Sequence, residues 1–292
     1  MADLAVAPVP ATGPLPPRVP NGRRQRPGRT GLALRTVAVL YVGILVVVPL
    51  GVVVYRTFQP GFTAFREALS DGSAVHAFQV TAVVAGLAVV INTVFGVAVA
   101  ILLARYRFPG RRLLSAFVDL PVAVSPIVVG LALVLVYGPS GWFGPTLQDH
   151  GLQVIGAKPG MVLATVFVAL PLVVRAVAPV LEQAGTEQEQ AAASLGANAA
   201  ARFLRITLPT IRTALAYGVV LSLARCLGEY GAVLIVSGNI DGETETAPLR
   251  IGNLVDSEQD PNSAYAIAFV LVLAALGAII VSAHIRRRRE AQ

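Results

Sequence analysis

The sequence predicts an all-α integral membrane protein with six transmembrane helices. Of its 292 residues, 55% are hydrophobic and only 13% are charged, and the mean hydropathy is +0.71. Soluble domains carry roughly 25% charged residues, so this composition excludes an ordinary soluble protein. The single cysteine, Cys226, excludes an intrachain disulfide and a cysteine-based metal cluster. The three histidines lie far apart in the sequence, so we expect no metal site.

Apolar segments long enough to span a bilayer recur along the chain. The predicted spans are about 36–55, 78–104, 113–137, 160–181, 213–237 and 264–285. The first has no charge, and its length covers roughly 30 Å as a helix, the thickness of a hydrocarbon core. Before it lies a basic, proline-rich segment, 1–30, which we expect to be a disordered tail. We assign 31–285 to the transmembrane domain and 286–292 to a basic tail.

The distribution of basic residues predicts the orientation in the membrane. If the N-terminus is cytoplasmic, most of the 23 Lys and Arg residues lie inside. Only Arg56, Arg66, Lys158 and Arg250 then lie outside, while Arg175 and Arg225 lie within spans. Cytoplasmic loops carry such an excess, so both termini and the loop between spans four and five are predicted to be cytoplasmic. Because the arginines flank apolar spans, we expect no nucleic-acid binding.

The polar segment 185–211 separates spans four and five. Alanines and early acids favour a short helix from Glu187, with Thr186 as its N-cap and Glu189 as the capping-box partner. Gly196 permits a sharp turn, 197–204 can form a second short helix, and Pro209 suits the first turn of span five. From composition alone, a generic amphipathic loop helix remains an alternative.

The spacing within this segment resembles the EAA motif of bacterial ABC importer permeases. In that motif Glu-Ala-Ala is followed by three residues, Gly, nine residues, Ile, one residue and Leu-Pro. Here Ala191-Ala192, Gly196, Ile206 and Leu208-Pro209 match, whereas Gln190 replaces the acid and Glu189 stands beside it. The chain is most similar to CysW-type sulfate/thiosulfate permease subunits, a resemblance also carried by RCLGEYGAVLIVSGNI and GETETAPLRI.

The resemblance implies a type I ABC importer permease in a bacterial plasma (inner) membrane. It also implies that this loop forms the coupling helix, which docks on a separate cytoplasmic ATPase dimer. The expected coupling residues are Glu189, Gln190, Ala191, Ala192, Gly196, Ala197, Ala201, Arg202, Ile206, Leu208 and Pro209. The only lysine, Lys158, is followed by proline, so the chain has no P-loop. We therefore expect no enzyme activity and no bound cofactor in this chain, with ATP-Mg held by the ATPase.

The implied partners are the ATPases, a second homologous permease of the CysT type, an extracytoplasmic sulfate-binding protein and membrane lipid. Sulfate and thiosulfate would cross by alternating access. The acidic outer segment 239–263 is expected to dock a basic surface of the binding protein. Two alternatives remain open: a molybdate or tungstate permease, and a secondary transporter or channel that acts alone.

Charges within the spans form the second candidate site. Arg225 and Glu229 lie four residues apart, which places them on one helix face. Because intramembrane charges are costly and face the bundle interior, they form either a structural ion pair or part of a translocation path or gate. In the second case Ser222 and Tyr230 join them.

Three further polar residues lie within the spans. Arg175 is expected either to extend to the interface or to pair with Asp119. Asn92 is expected to form an interhelical hydrogen bond. Gly228 and Gly231 would allow close helix contact or a local break.

Overall fold

The computed structural model of the protein describes residues 29–257 and 260–290. The predicted N-terminal tail therefore lies almost entirely outside the described residues. The described α-helices are α1 (Arg29–Phe58), α2 (Phe62–Ser70), α3 (Gly72–Arg105), α4 (Arg111–Ala123), α5 (Pro126–Tyr137), α6 (Gly144–Asp149), α7 (Lys158–Ala184), α8 (Glu187–Ser194), α9 (Ala199–Arg202), α10 (Leu208–Leu227), α11 (Gly231–Val236), α12 (Ala247–Asp256) and α13 (Pro261–Glu290). A π-helical segment, Phe203–Thr207, joins α9 to α10.

Five helical segments of the described chain are long and apolar enough to cross a membrane. They are Ala33–Phe58, Gly72–Arg105, Lys158–Ala184, Ala199–Leu227 and Pro261–Ile285. The third predicted span, 113–137, consists instead of α4 and α5, which are bent by 115° relative to each other. The predicted span over 113–137 is therefore broken into two helices. Val124 and Ser125 adopt extended ψ angles of 138° and 136°, and Pro126 disfavours a helical conformation at the residue before it.

The chain divides into two compact units at Gly51. The described part of the first unit is the apolar helix that begins at Arg29. In the second unit, α3, α7 and α10 pack closely because small residues face Val173. A Cβ atom on Gly96 would lie 2.8 Å from Cγ1 of Val173, and one on Gly218 would lie 3.2 Å from its Cα. Such residues let helix backbones approach closely in membranes.

Asn92 lies on α3 and is fully buried. Neither polar atom of its side chain has a hydrogen-bond partner among the described residues. The predicted interhelical hydrogen bond is therefore not formed.

The predicted fifth span is also broken. α10 ends at Leu227, and α11 begins at Gly231, so a single helix over 213–237 is wrong, whereas the local break near Gly228 and Gly231 is confirmed. At its other end the helix is longer than predicted, because α9, the π segment and α10 are continuous. Pro209 lies in the first turn of α10 rather than at the start of the span.

The second helix of each broken span, α5 in one and α11 in the other, packs against its counterpart. A Cβ atom on Gly130 of α5 would lie 2.8 Å from Cβ of Ile235 in α11. On the other side, a Cβ atom on Gly231 would lie 3.2 Å from Cβ of Pro126. Glycine at both positions thus permits α5 and α11 to touch. Beyond the sixth predicted span, α13 continues to Glu290, so the described part of the predicted basic tail, 286–290, is helical.

Candidate functional site

The segment between α7 and α10 forms a turn of two short helices, as the sequence predicted. α8 ends in a turn at Gly196, whose φ is +85°. The Gly196 amide donates to the Ala193 carbonyl, and the Ala197 amide donates to the Ala192 carbonyl, both at 2.9 Å. This paired arrangement closes a helix C-terminus and requires a left-handed residue.

On the other side of the turn, the Asn198 side chain accepts a hydrogen bond from the Ala201 amide at 2.8 Å and caps α9. Leu195, at the tip between the two short helices, is 88% exposed. The turn therefore presents an apolar side chain to its surroundings, a feature that the sequence analysis did not single out.

The predicted capping box at the start of α8 is not formed. Thr186 makes no side-chain cap hydrogen bond; its hydroxyl instead accepts one from Nε2 of Gln190 at 3.0 Å. The side chain of Glu189 turns away from the helix start, because it has a cationic partner elsewhere. Gln190, the residue in the motif's acidic position, is exposed and bonded only within its own helix among the described contacts.

Glu189 joins α8 to two other elements. Its Oε1 atom lies 3.1 Å from Nη2 of Arg105, the last residue of α3, and accepts a hydrogen bond from the Thr207 hydroxyl at 2.9 Å. Arg105 also donates through Nη1 to the Leu181 carbonyl in α7 at 2.8 Å. The two charged side chains are only 10% and 20% exposed, so this network is largely shielded from water. We call Arg105, Glu189 and Thr207 the loop junction.

The remaining predicted coupling residues surround this junction. Glu189, Gln190 and Arg202 line a cavity of about 340 Å³ together with Arg105 and Thr207. The other predicted residues lie at the surface or half-buried along the same loop: Ala191, Ala192, Gly196, Ala197, Ala201, Ile206, Leu208 and Pro209. The sequence analysis did not single out Arg105, because a basic residue at the end of a span is already accounted for by the membrane orientation.

The second candidate site brings two of its four predicted residues together. Nη1 of Arg225 lies 2.7 Å from Oε2 of Glu229, so the predicted ion pair is formed. Glu229 lies beyond the end of α10, in the break, and is 2% exposed. Its Oε1 atom accepts a hydrogen bond from the Ala232 amide at 2.9 Å, which connects the pair to the first turn of α11. The pair therefore bridges the two halves of the broken span.

The other two predicted gate residues, Ser222 and Tyr230, form no hydrogen bond with this ion pair in the described part of the chain. Ser222 is fully buried in α10. Tyr230 is 40% exposed and packs on α12, where a Cβ atom on Gly252 would lie 3.0 Å from the Tyr230 hydroxyl oxygen. A role of these residues in a translocation path stays a prediction.

Arg175 pairs with Asp119, as the sequence analysis anticipated. Nε of Arg175 donates to Oδ1 at 2.6 Å, and Nη2 donates to Oδ2. The pair links α7 to α4.

The end of the molecule opposite the turn at Gly196 contains a second charge cluster. Arg250 of α12 lies 3.3 Å from carboxylate oxygens of Asp71, Asp241 and Glu245. Glu245 is 2% exposed and accepts a hydrogen bond from Nδ2 of Asn253 at 2.6 Å; burial raises its pKa above the ordinary value. Burial thus removes Glu245 from the expected acidic docking surface, whereas Asp241 stays 57% exposed. Docking of a binding protein by this segment stays a prediction.

Known proteins are similar to this chain in sequence and in fold. The family model described as "Binding-protein-dependent transport system inner membrane component" matches residues 92–290. The sulfate transport system permease protein CysW of Synechococcus elongatus is 42% identical over 257 residues, which cover 88% of this chain and 90% of the relative. CysW and CysT of Escherichia coli K12 are each 40% identical over 256 residues, covering 88% of this chain and 88% and 91% of the relatives.

Among solved structures, a bacterial ABC transporter involved in the import of the acidic polysaccharide alginate has a similar fold. The TM-score is 0.72 at 18% sequence identity, with 88% of this chain and 94% of that chain covered. This similarity concerns the fold alone.

Proposed function

This chain belongs to the binding-protein-dependent transport system inner membrane components, and we propose that it is the permease subunit of an ATP-driven importer of sulfate. Sulfate permeases at 40–42% identity over most of the chain support this substrate. Thiosulfate, a similar dianion, is the second proposed substrate. The relatives give the molybdate alternative no support.

The observation that carries the proposal is the loop junction. Glu189 connects α8 to Arg105 at the end of α3 and to Thr207 just before α10. A force applied to α8 by a docked protein would therefore reach two membrane-spanning helices through short, shielded contacts. An ATPase dimer that closes on ATP and opens after hydrolysis would supply such a force, and the spans would alternate between outward-open and inward-open arrangements.

The proposed orientation places the coupling loop and both termini in the cytoplasm. The excess of arginine on this side of the spans supports it. Docking of the ATPase would use the exposed tip at Leu195 and the adjacent small residues. ATP-Mg binds to the ATPase in this proposal, and this chain performs no covalent chemistry.

Two further partners complete the proposed transporter. Relatives named CysW and CysT are both permeases of sulfate transport systems, which supports pairing of this chain with a second, homologous permease. A similar fold occurs in an alginate ABC transporter in complex with a periplasmic protein, with a TM-score of 0.69, which supports delivery of the anion by a binding protein.

Uptake of radiolabelled sulfate tests the proposal. A bacterial strain that lacks its own sulfate permeases would receive this chain together with the other transporter subunits, with either an intact ATPase or one unable to hydrolyse ATP. We expect uptake only with the intact ATPase, competed by thiosulfate. Uptake that persists with the inactive ATPase would favour a secondary transporter or channel.

A further inference from the structure

A basic cavity of about 520 Å³ lies between α3, α4 and α7, at the same end of the molecule as the coupling loop. Four arginines line it: Arg107, Arg111, Arg112 and Arg175. The loop junction lies elsewhere on this end, and none of its three residues lines the cavity. The proposed transport mechanism assigns no role to this cavity.

Two of the four arginines have no ionic partner among the described residues. Arg111 lies 3.0 Å from Glu182, and Arg175 pairs with Asp119. Arg107 and Arg112 are exposed and form no ion pair with a described carboxylate. The cavity therefore has unneutralised positive charge in addition to its ion pairs.

Backbone groups at the start of α4 add to this positive character. Gly110 precedes the helix with φ +93° and provides no side-chain cap, and the first turn contains no acidic residue. The first amides of a helix lack intrahelical partners and favour an anion. The Arg111 amide donates to the Phe108 carbonyl at 3.3 Å, so only the amides that follow it in the first turn are left without a cap. Because Gly110, Arg111 and Arg112 all line the cavity, the start of α4 and the guanidinium groups meet at its rim.

The deeper wall of the cavity is apolar. Leu103 and Val118 are buried there, and Phe108 and Val174 also line it. Next to the cavity, α4 exposes Leu113 and Phe117 at 61% and 59%. A site for a free hydrated anion needs no such surface, whereas a lipid combines an anionic head with hydrocarbon chains.

We propose that this cavity binds the phosphate of an anionic phospholipid, with the adjoining apolar surface in contact with its acyl chains. Basic pockets between membrane helices on the cytoplasmic side take such head groups. The assignment to the cytoplasmic leaflet rests on the orientation given under the proposed function. A free tetrahedral oxyanion such as sulfate shares the head-group chemistry, and the apolar wall favours the lipid.

Native mass spectrometry of the purified complete transporter tests this assignment. The probes are phosphatidylglycerol, phosphatidylcholine and inorganic sulfate, each added separately, with a photoactivatable phosphatidylglycerol to locate the site. The test variant is Arg107→Ala/Arg112→Ala, which breaks no described ion pair. The control is Arg35→Ala/Arg212→Ala, which removes two exposed arginines outside the cavity.

We expect the wild type and the control to retain more bound phosphatidylglycerol than phosphatidylcholine. The test variant should lose at least about tenfold in retention, and crosslinks should map to the α3–α4 connection and α4. Sulfate retention that depends on these arginines without a preference for phosphatidylglycerol would overturn the lipid assignment in favour of a free oxyanion. Equal retention of every probe by both variants would overturn the site itself. Sulfate uptake, measured in parallel, distinguishes either failure from failure of the proposed transport function.

Discussion

The Glu189 carboxylate lies 3.1 Å from Nη2 of Arg105, although 84 positions separate the two residues in the sequence. The contact joins the short helix α8 to the end of α3, and the Thr207 hydroxyl joins the same carboxylate to the π-helical segment just before α10. The acid that fixes the coupling loop is therefore Glu189, the neighbour of the position where the motif has its glutamate.

We predict that Glu189→Gln reduces sulfate uptake several-fold while the chain still inserts into the membrane. The substitution removes a charge-assisted hydrogen bond, a contact worth about 1.5–3 kcal/mol when shielded and less at 20% exposure. Uptake per ATP hydrolysed should fall, because a loosened α8 transmits less of the ATPase movement. Uptake and ATPase activity measured in the same proteoliposomes check this.

Glu187→Gln is the matched control, since Glu187 is an exposed acid in the same helix turn. It should leave coupling unchanged. Arg105→Ala should lower coupling at least as much as Glu189→Gln does, because it also removes the hydrogen bond to the Leu181 carbonyl. The double variant should be little worse than Arg105→Ala alone, because that substitution already removes the contact with Glu189. Additive losses would contradict the loop junction as a unit.

The coupling loop illustrates what the sequence could and could not predict. Motif spacing located the turn at Gly196 and the proline in the first turn of α10, because both depend on local backbone requirements. The role of Arg105 was not predictable, since it depends on how α3 ends beside α7. Likewise, a local capping rule assigned Glu189 to the start of α8, whereas a long-range cation binds it instead.

We predict that Gly196→Ala weakens association with the ATPase and that Gly196→Asn weakens it less. Gly196 has φ +85°, and no atom lies within 4 Å of a Cβ placed there, so the cost is backbone strain rather than collision. A left-handed residue with a Cβ costs roughly 1–2 kcal/mol, and asparagine tolerates this conformation best. Co-purification of the ATPase with each variant measures the effect. Equal co-purification of all three proteins would show that the turn does not position the docking surface.

The broken spans show the limit of reading hydrophobic length alone. The segment 113–137 is apolar throughout its second half and long enough to cross a membrane, so its hydropathy predicts one span. Pro126 and the extended residues before it split this segment at 115°. Similarly, Gly228 and Gly231 indicated a local break in the fifth span. The contact between α5 and α11, which the sequence does not show, is what places α11 after that break.

We predict that Arg225→Ala destabilises the protein more than Arg225→Met/Glu229→Gln does. Removal of the arginine leaves a carboxylate that is 2% exposed without its cation. Breaking a buried pair costs about 3–5 kcal/mol, and the 37% exposure of Arg225 places this case near the lower end. The double variant removes both charges and should recover most of the folded yield, measured by thermal unfolding of the purified complex. Arg212→Ala, an exposed arginine on the same helix, is the control.

The same double variant separates the two roles considered for this pair. If it folds and transports sulfate normally, the ion pair only holds α10 and α11 together. If it folds without transport, the charges belong to the translocation path. An unstable double variant would contradict the explanation by an uncompensated charge.

The buried acid Glu245, in the charge cluster around Arg250, makes the free energy of unfolding depend on pH. Burial raises its pKa above the ordinary value of 4.5, so between that value and the raised pKa the folded state holds a proton that the unfolded state has lost. Stability should therefore fall as the pH rises through this window and then level off. Glu245→Gln should flatten this part of the profile, whereas Asp241→Asn, which removes a 57% exposed acid that adds less than burial to the raised pKa of Glu245, should reduce the slope only in part. Thermal unfolding of the purified complex from about pH 4 to pH 8 measures both slopes. If Glu245→Gln retains the wild-type slope, another group is responsible for it.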